Sequence, residues 1–329
     1  MRKIIIVVVV IVLVLVLLPV GALTMVVMTK PNVGPAPTLT VASTPALVER
    51  GRYLFHHQAA CVACHSQWDT TKFSFPPIAG KEGAGGSIFS AELGVPGKIY
   101  GSNLTPAGLK DWSDGEIYRA LVSGVTKQGN ALYPLMPYRH YAKLSQPDLH
   151  ALIAYLRTLP AIENTIPERE LTFPMNIIVR MLPVAAEPPM TTPAADAKDY
   201  PAYAINASAC MHCHTPSAHG KVVAGSEYSG GVKFPLADGS VVRSANLTPD
   251  DDTGLGKWTK DVFIQRFRTG VEMAKQPVIP GQLNTPMPWS SYGGMTDADL
   301  GAIYDHLRTL PKVTNKVEHF TPAVSGVAK

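Results

Sequence analysis

The chain has 329 residues, which is long enough for two domains of ordinary size with additional segments. Its charge is nearly balanced, with 29 basic against 25 acidic side chains, and it has no concentrated basic stretch of the kind that binds nucleic acid. The 29 prolines and 27 glycines indicate short helices separated by long structured loops.

The first 30 residues form a predicted membrane anchor. After two basic residues the chain is apolar from Ile4 to Leu18, is interrupted at Pro19 and Gly21, and is apolar again up to Lys30. About 25 such residues, each rising about 1.5 Å in a helix, span the hydrocarbon core of a bilayer. The alternative is a cleaved signal peptide, which usually has a shorter apolar stretch. The basic N-terminus predicts that the rest of the chain lies in the periplasm, outside the bacterial inner membrane.

A proline-rich, uncharged segment at residues 31–44 is predicted to be an extended tether. Residues 45–162 then form a predicted first domain, which begins with a helix capped by Thr44 and with Pro45 in its first position. A capping box at Ser113 opens a second helix, which is predicted to end at Gly124. Another box at Ser145 opens a helix that stops before the proline at position 160.

The first helix leads to Cys61-Val62-Ala63-Cys64-His65, which has the Cys-x-x-Cys-His spacing of c-type haem attachment. Residues i, i+3 and i+4 share one face of a helix, so two thiols and one imidazole point the same way. The thiols can form thioethers to the two vinyl groups of a porphyrin, while the imidazole reaches the iron. A zinc half-site or a redox dithiol is the alternative, but zinc needs four ligands and a redox pair needs no histidine.

Met136 is the predicted second axial ligand of this iron. It lies in Leu132-Tyr133-Pro134-Leu135-Met136-Pro137-Tyr138, where the prolines stiffen the loop that would hold a thioether against the metal. The alternative is that this methionine fills the core.

Residues 163–199 are a predicted linker, rich in proline and alanine. Its segment 173–182 is too apolar for a free linker, so we expect it to pack against the domains. Contact with lipid or with a partner protein is the alternative.

Residues 200–313 repeat the first domain, and residues 314–329 form a C-terminal tail. Cys210-Met211-His212-Cys213-His214 is a second haem motif, and Met287 is the equivalent predicted axial ligand. We expect the helix after Trp258 to end at Gly270-Val271, as its counterpart does. Three further segments recur in both halves: Asn103-Leu104-Thr105-Pro106 as Asn246-Leu247-Thr248-Pro249, Trp112 as Trp258, and Leu156-Arg157-Thr158-Leu159-Pro160 as Leu307-Arg308-Thr309-Leu310-Pro311.

Other polar residues lie near these motifs. His56 and His57 have no counterpart before the second motif, and we expect them to be exposed to solvent. His212 points away from His214, at the haem edge or in solvent. The asparagine and threonine of the repeated Asn-Leu-Thr-Pro segments either hydrogen-bond a haem propionate or an axial loop, or they have a structural role.

These motifs, from Arg52-Tyr53-Leu54 before the first cysteine to Met287-Pro288, resemble the cytochrome c subunits of membrane-bound quinoprotein alcohol dehydrogenases and related dehydrogenases. The resemblance covers residues 45–313. It implies class I-like cytochrome c domains in which His65 with Met136, and His214 with Met287, ligate the two haem irons. Members of that family usually carry three haems, whereas this chain has two attachment motifs.

We therefore predict an all-α, membrane-tethered protein in which two tandem cytochrome c domains carry two covalently bound c-type haems. Two fully ligated irons predict electron transfer without a catalytic residue, between a redox donor and a terminal acceptor in a respiratory or photosynthetic chain. Its partners would be a redox protein donor and acceptor, either as free proteins or in a stable complex with a dehydrogenase, an oxidase or another membrane complex. The alternative is a dihaem enzyme, such as a peroxidase or a thiosulfate dehydrogenase, with one open haem site.

Overall fold

The structure is a computed structural model that describes residues 2–28, 30–187, 190–218, 220–279 and 281–323. The last six residues of the predicted tail and His219 therefore lie outside the described residues. The helices in the described residues are α1 (Arg2–Met28), α2 (Pro45–Tyr53), α3 (Cys61–Cys64), α4 (Pro106–Leu109), α5 (Asp114–Ser123), α6 (Tyr138–Tyr141), α7 (Gln146–Thr158), α8 (Met175–Ile178), α9 (Tyr200–Ala207), α10 (Cys210–His214), α11 (Lys260–Ala274), α12 (Trp289–Tyr292) and α13 (Asp297–Arg308).

Short antiparallel strands accompany the helices. Among the described residues they form the sheets β1-β2-β3, β4-β5 and β6-β7-β8. The helical class is thus correct for the main elements, but strands of two to four residues were not predicted, because so short a run has no readable alternation. The strands are β1 (Ile88–Phe89), β2 (Gly97–Tyr100), β3 (Glu170–Leu171), β4 (Ser217–Ala218), β5 (Lys221–Val222), β6 (Lys233–Pro235), β7 (Val241–Arg243) and β8 (Phe320–Thr321).

Helix α1 is apolar and continues through Pro19 without a break. Its residues Arg2–Gly21 have a mean hydropathy of 3.6 and are not buried against the rest of the chain. By length and composition this helix could cross a membrane, and within the described residues it is the helix with that property. A signal sequence near an N-terminus has the same features, so retention of the anchor stays a prediction.

The capping signals in the first half of the chain form as predicted. Thr44 accepts a hydrogen bond from the backbone of Leu47, and Ser113 and Glu116 make both bonds of a capping box. Helix α7 begins after Ser145. It packs closely on α2, where a Cβ at Gly51 would lie 1.9 Å from a backbone oxygen of α7. This pair of helices, with a π-helical turn at Leu54–Gln58, delivers the chain to α3.

The linker follows the surface of the first half. Strand β3 pairs with β2, placing Leu171 opposite Gly97. Val179 is fully buried, whereas Phe173 and Met181 are 78% and 62% exposed. The predicted packing of segment 173–182 is therefore correct for one side of the segment, and its other side faces solvent.

The prediction that the helix after Trp258 ends at Gly270-Val271 was wrong. Helix α5 ends at Gly124, which is left-handed at φ 68°, but α11 continues through Gly270 to Ala274. A Cβ at either glycine would lie 2.5 Å from an aromatic ring, that of Tyr138 or Trp289. The repeated glycine thus provides room for a ring in both halves, and it terminates the helix in only the first.

The two halves share one hydrophobic core. A continuous cluster of buried side chains runs from α2, α5 and α7 to α9, α11 and α13. Leu54, Leu152, Ile205 and Leu300 are members of this cluster, each at most 2% exposed. The halves are therefore packed together rather than separated by the linker.

Equivalent hydrogen bonds cross between the halves in both directions. The Tyr203 hydroxyl donates to Asp148 at 2.6 Å, and the Tyr53 hydroxyl donates to Asp299. Each tyrosine lies on the first haem-domain helix of one half, Tyr53 at the end of α2 and Tyr203 in the middle of α9. Each aspartate lies in the first turn of the last helix of the other half. The interface therefore has an approximate twofold relation between repeated positions.

The same two hydroxyls also accept hydrogen bonds from backbone N–H groups at the opposite helix N-termini. Tyr203 accepts from Ser145 at 3.2 Å, and Tyr53 accepts from Thr296 at 3.1 Å. Each hydroxyl thus bonds both the backbone N–H of a helix-capping residue and the carboxylate in the first turn of the same helix. These paired bonds fix the angle at which the two halves meet.

Replacing Tyr203 by Phe should lower the free energy of unfolding by about 2 kcal/mol, because a buried bond to a carboxylate contributes about 1.5–3 kcal/mol. Urea unfolding of the detergent-extracted full chain measures this loss. Tyr118→Phe is the matched control, since the Tyr118 hydroxyl makes no hydrogen bond within the described residues, and it should change stability by less than about 0.5 kcal/mol. Equal effects from both variants would contradict the role given to the Tyr203–Asp148 bond.

Candidate haem sites

Both Cys-x-x-Cys-His motifs form one helical turn that follows a left-handed residue. Ala60 at φ 49° precedes Cys61, and Ala209 at φ 48° precedes Cys210. Left-handed geometry is uncommon for a residue other than glycine, so its presence at both equivalent positions indicates a required chain direction. Each motif thus begins the helical turn that the spacing predicted at its first cysteine.

The four cysteines are free thiols, and none forms a disulfide. Burial raises the pKa of the Cys61 thiol to about 12, so this thiol is protonated near neutral pH. Reactive redox cysteines instead have a lowered pKa. Within the described residues, no group of three or more His, Cys, Asp or Glu side chains is arranged to hold a metal ion. The geometry therefore favours neither the redox dithiol nor a four-ligand zinc site.

Each motif histidine is oriented by a backbone carbonyl. Nδ1 of His65 lies 2.9 Å from the carbonyl oxygen of Ser102, and Nδ1 of His214 lies 2.8 Å from that of Ala245. Because a carbonyl oxygen only accepts, Nδ1 carries the proton and the lone pair of Nε2 is available to a metal. Burial lowers the pKa of both imidazoles, which favours the neutral, ligating form.

The Asn-Leu-Thr-Pro segment directly follows each of these carbonyls and is held by a buried network. Asn103 Nδ2 donates to the Ile162 carbonyl at 2.8 Å, and Asn103 Oδ1 accepts from the Thr105 hydroxyl at 2.7 Å. The Ile162 backbone N–H donates back to the Thr105 hydroxyl at 3.2 Å. Both side chains are therefore fully engaged with the segment that follows α7.

The second half repeats this network. Asn246 Nδ2 donates to the Val313 carbonyl at 2.7 Å, and Asn246 Oδ1 accepts from the Thr248 hydroxyl at 2.8 Å. Of the roles considered for these residues, the contacts support the structural one. By fixing the turn after Ser102 and Ala245, the networks hold the carbonyls that orient the motif histidines.

One glycine that the sequence analysis did not predict bonds the backbone of each motif histidine. The backbone N–H groups of Gly85 and Gly230 donate to the carbonyls of His65 and His214 at 2.8 and 2.9 Å. Both glycines are left-handed, with φ of 72° and 73°, and a Cβ would come within 2.5 Å of backbone atoms. A Gly-Gly pair at a matching place in both repeats is the signal that could have identified them.

Met136 and Met287 occupy equivalent loops and are half-buried against the core. The backbone N–H of Tyr138 donates to the Met136 carbonyl at 2.8 Å, and that of Trp289 donates to the Met287 carbonyl at the same distance. A proline lies between each donor and acceptor, and the two prolines have nearly the same backbone angles. The methionines are thus presented by the same turn in both halves.

Each methionine loop is tied to the haem motif of its own half. The Tyr141 hydroxyl, at the end of α6, donates to the Ala59 carbonyl at 2.9 Å. The Tyr292 hydroxyl, at the end of α12, donates to the Ser208 carbonyl at 2.6 Å. These carbonyls lie two residues before the first cysteine, so the predicted axial ligand and the attachment turn are linked through one buried tyrosine.

The competing methionines have other partners. Met295 is 2% exposed, and its sulfur lies 3.7 Å from the Ser208 hydroxyl. Its counterpart in the first half is Leu144, which is fully buried. The sulfur of Met273 lies 3.8 Å from the Arg266 guanidinium. These contacts favour core and surface roles for both, and the ligand roles of Met136 and Met287 stay predictions.

The expectation that His56 and His57 are exposed was wrong, since both are half-buried. His56 Nε2 lies 2.7 Å from the Tyr155 hydroxyl, and His57 Nδ1 lies 3.0 Å from the Ser291 carbonyl. The second bond crosses to the other half of the chain, which no local pattern reveals. His212 is exposed, as expected, with its ring centroid 6.2 Å from that of His140.

These donor sets fit a covalently attached haem in each half. Each half offers two free thiols and a neutral imidazole with Nε2 available, and a stiff methionine loop tied to the same segment. An iron porphyrin bound by thioethers and an axial histidine defines the c-type cytochromes.

Comparison with known proteins agrees with this class. No family model matches the chain. The chain is similar to the cytochrome c subunit of the quinone-dependent alcohol dehydrogenase of Komagataeibacter europaeus, with 28% identity over 85% of the chain and 60% of that subunit. It is 29% identical to the fructose dehydrogenase cytochrome subunit of Gluconobacter japonicus, over 84% of the chain and 54% of the relative. The gluconate 2-dehydrogenase cytochrome c subunit of Pantoea cypripedii is 29% identical over 68% of the chain and 51% of the relative.

The resemblance to cytochrome c subunits of dehydrogenases is therefore confirmed. The chain spans about half to three fifths of the length of the curated relatives it matches.

Replacing Asn103 by Ala should lower the free energy of unfolding by about 1–3 kcal/mol, since it removes the amide donor to the Ile162 carbonyl and leaves the buried Thr105 backbone N–H without its partner. Urea unfolding of the detergent-extracted protein measures the change. The exposed linker residue Asn176 provides the control, and Asn176→Ala should have an effect of less than about 0.5 kcal/mol. A loss at Asn103 as small as that at Asn176 would argue against a structural role for the network.

Proposed function

We propose that this chain is a membrane-tethered electron-transfer subunit that carries two c-type haems in two tandem cytochrome c domains. The domains are residues 45–162 and 200–313, preceded by the anchor 1–30 and the tether 31–44, and joined by the linker 163–199. The observation that carries the proposal is the duplicated arrangement of a Cys-x-x-Cys-His turn with an imidazole Nδ1 bonded to a backbone carbonyl.

In the first domain, Cys61 and Cys64 would form the thioethers to the haem, while His65 and Met136 would ligate its iron. Cys210, Cys213, His214 and Met287 would do the same in the second. A c-type haem bound in this way supplies reversible one-electron transfer. The protein's contribution is to keep each imidazole neutral and oriented through its bonded Nδ1, and to hold each thioether in a proline-stiffened loop.

Helix α1 would retain the chain in the bacterial inner membrane, with both domains in the periplasm. Two features support this location. The first is the exposed apolar surface of Arg2–Gly21 in α1. The second is the similarity of the chain to cytochrome subunits of dehydrogenases.

The partner would be a dehydrogenase that delivers electrons from its substrate, and the acceptor would belong to a respiratory or photosynthetic chain. The similarity to cytochrome subunits of alcohol, fructose and gluconate dehydrogenases supports a stable complex with the donor.

The substitution Met136→His should lower the reduction potential of one haem and leave the other unchanged, because methionine ligation raises the potential relative to histidine. A spectroelectrochemical titration of wild-type and variant proteins measures both potentials. The matched variant is Met295→Leu, which copies the leucine at position 144 and should change neither potential. Unchanged potentials in Met136→His would exclude Met136 as a ligand.

The partner can be identified from native membranes. After extraction in mild detergent, the haem-stained band on a native gel should migrate with a dehydrogenase that mass spectrometry identifies in the same band. A band that runs near 35.3 kDa plus detergent would instead indicate a free tethered carrier.

Rapid carbon monoxide binding to the reduced wild-type protein would contradict six-coordinate haems and indicate a dihaem enzyme with an open site.

A further inference from the structure

We propose that Ser74, in the first half of the chain, is a positioning residue for the Met287 ligand in the second half. It would hold the Met287 loop in place from across the interface, so that the second haem's axial bond depends on how the halves pack. This inference rests on the proposed ligation of the second haem by Met287.

A loop of the first half pairs with the segment that leads to Met287. The backbone N–H of Phe73 donates to the Gln276 carbonyl at 3.0 Å, and that of Val278 donates to the Thr71 carbonyl at 2.8 Å. Lys72 and Pro277 form an antiparallel bridge between these bonds. Residues 71–73 are thus paired by backbone hydrogen bonds with residues 276–278, which precede the Met287 loop of the other half.

Ser74 follows this pairing and contacts the ligand loop directly. Its hydroxyl donates to the Met287 carbonyl and accepts from the Trp289 backbone N–H at 3.3 Å. Its own backbone N–H donates to Oδ1 of Asn284 at 2.7 Å. Ser74 is 3% exposed and Asn284 is 6% exposed, so these bonds are shielded from water. One serine therefore bridges the start, the middle and the end of the turn that presents Met287.

The backbone at this serine is held in an uncommon conformation. Ser74 and Phe75 are both left-handed, with φ of 66° and 49°, although neither is glycine. The Phe75 ring stacks on Trp68, with centroids 6.0 Å apart, and Phe73 is 7% exposed. Left-handed conformations of residues other than glycine persist where packing and hydrogen bonds hold the backbone in place. Here those contacts hold the Ser74 hydroxyl against the loop that carries Met287.

The arrangement has no counterpart at the first site. Within the described residues, the Met136 carbonyl accepts a hydrogen bond from Tyr138 of its own turn, and no donor from the second half reaches it. The second-half loop at the corresponding place forms the hairpin β4-β5, where Ser217 pairs with Val222. The two ligand loops, which are alike in themselves, therefore differ in this one contact across the interface. Removing the Ser74 contact should affect the second haem only.

The test uses the full chain with its haems, in a Met136→His background. In that background the first haem lacks a methionine bond, so the long-wavelength absorption band of methionine-ligated ferric haem reports the second haem alone. Adding Ser74→Ala should weaken this band and lower the second potential. It should also speed imidazole binding to that haem by about tenfold, which corresponds to the loss of one buried hydrogen bond. Asn284→Ala, which removes the partner of the Ser74 backbone, should act in the same direction.

Two further variants make the result specific. Ser123→Ala removes another buried serine hydroxyl of the first half, distant in sequence from the loop, and should leave the band, the potential and the imidazole rate unchanged. Met287→Ala should abolish the band. If Met287→Ala abolishes it while Ser74→Ala changes none of the three measurements, the ligation stands and the positioning role of Ser74 is wrong. If the band survives Met287→Ala, the ligation itself is wrong, and this inference with it.

Discussion

The hydrogen bond from Nδ1 of each motif histidine to a backbone carbonyl is the interaction on which the site depends. It assigns the proton to one ring nitrogen and leaves the other free to bind metal. The carbonyl must then be rigid, and the Asn-Leu-Thr network ties the turn after it to the segment beyond the last helix of the same half. The glycine that bonds the histidine's own carbonyl closes the loop from the other side. The histidine's orientation is therefore built into the backbone of each half.

The two halves contact each other through equivalent positions of the repeat, but the residues around these positions differ between the halves. Tyr53 and Tyr203 make equivalent bonds to the aspartates of the opposite half, but the partners within each half differ. Asp148 is also paired with Arg50, whereas Asp299 accepts from Tyr200, which occupies the position equivalent to that arginine. One carboxylate thus has a cation beside it and the other has two phenols. The interface therefore has the same geometry at both repeated positions, but the charge around the two carboxylates differs. The two methionine loops differ in a similar way, since only the Met287 loop is bonded by a serine of the other half.

Local patterns were the part of this structure that could be predicted from sequence. The caps at Thr44, Ser113 and Ser145 formed because each depends on residues within one helical turn. The cysteine motifs formed a helical turn for the same reason. Contacts that join distant parts of the chain were missed. His57 bonds a carbonyl 234 residues away, and Ser74 bonds one 213 residues away, so neither partner could be identified from spacing. The continuation of α11 beyond Gly270 was missed because the glycine's role is to make room for a ring.

The central claim is that each half carries one covalently bound haem, and intact-mass measurement of the purified full-length protein tests it most directly. The account predicts a mass equal to the polypeptide plus two haems. After proteolysis, one haem should remain on the peptide with Cys61 and Cys64, and the other on the peptide with Cys210 and Cys213. A mass that shows fewer than two haems, or free thiols in either motif after correct maturation, would contradict it.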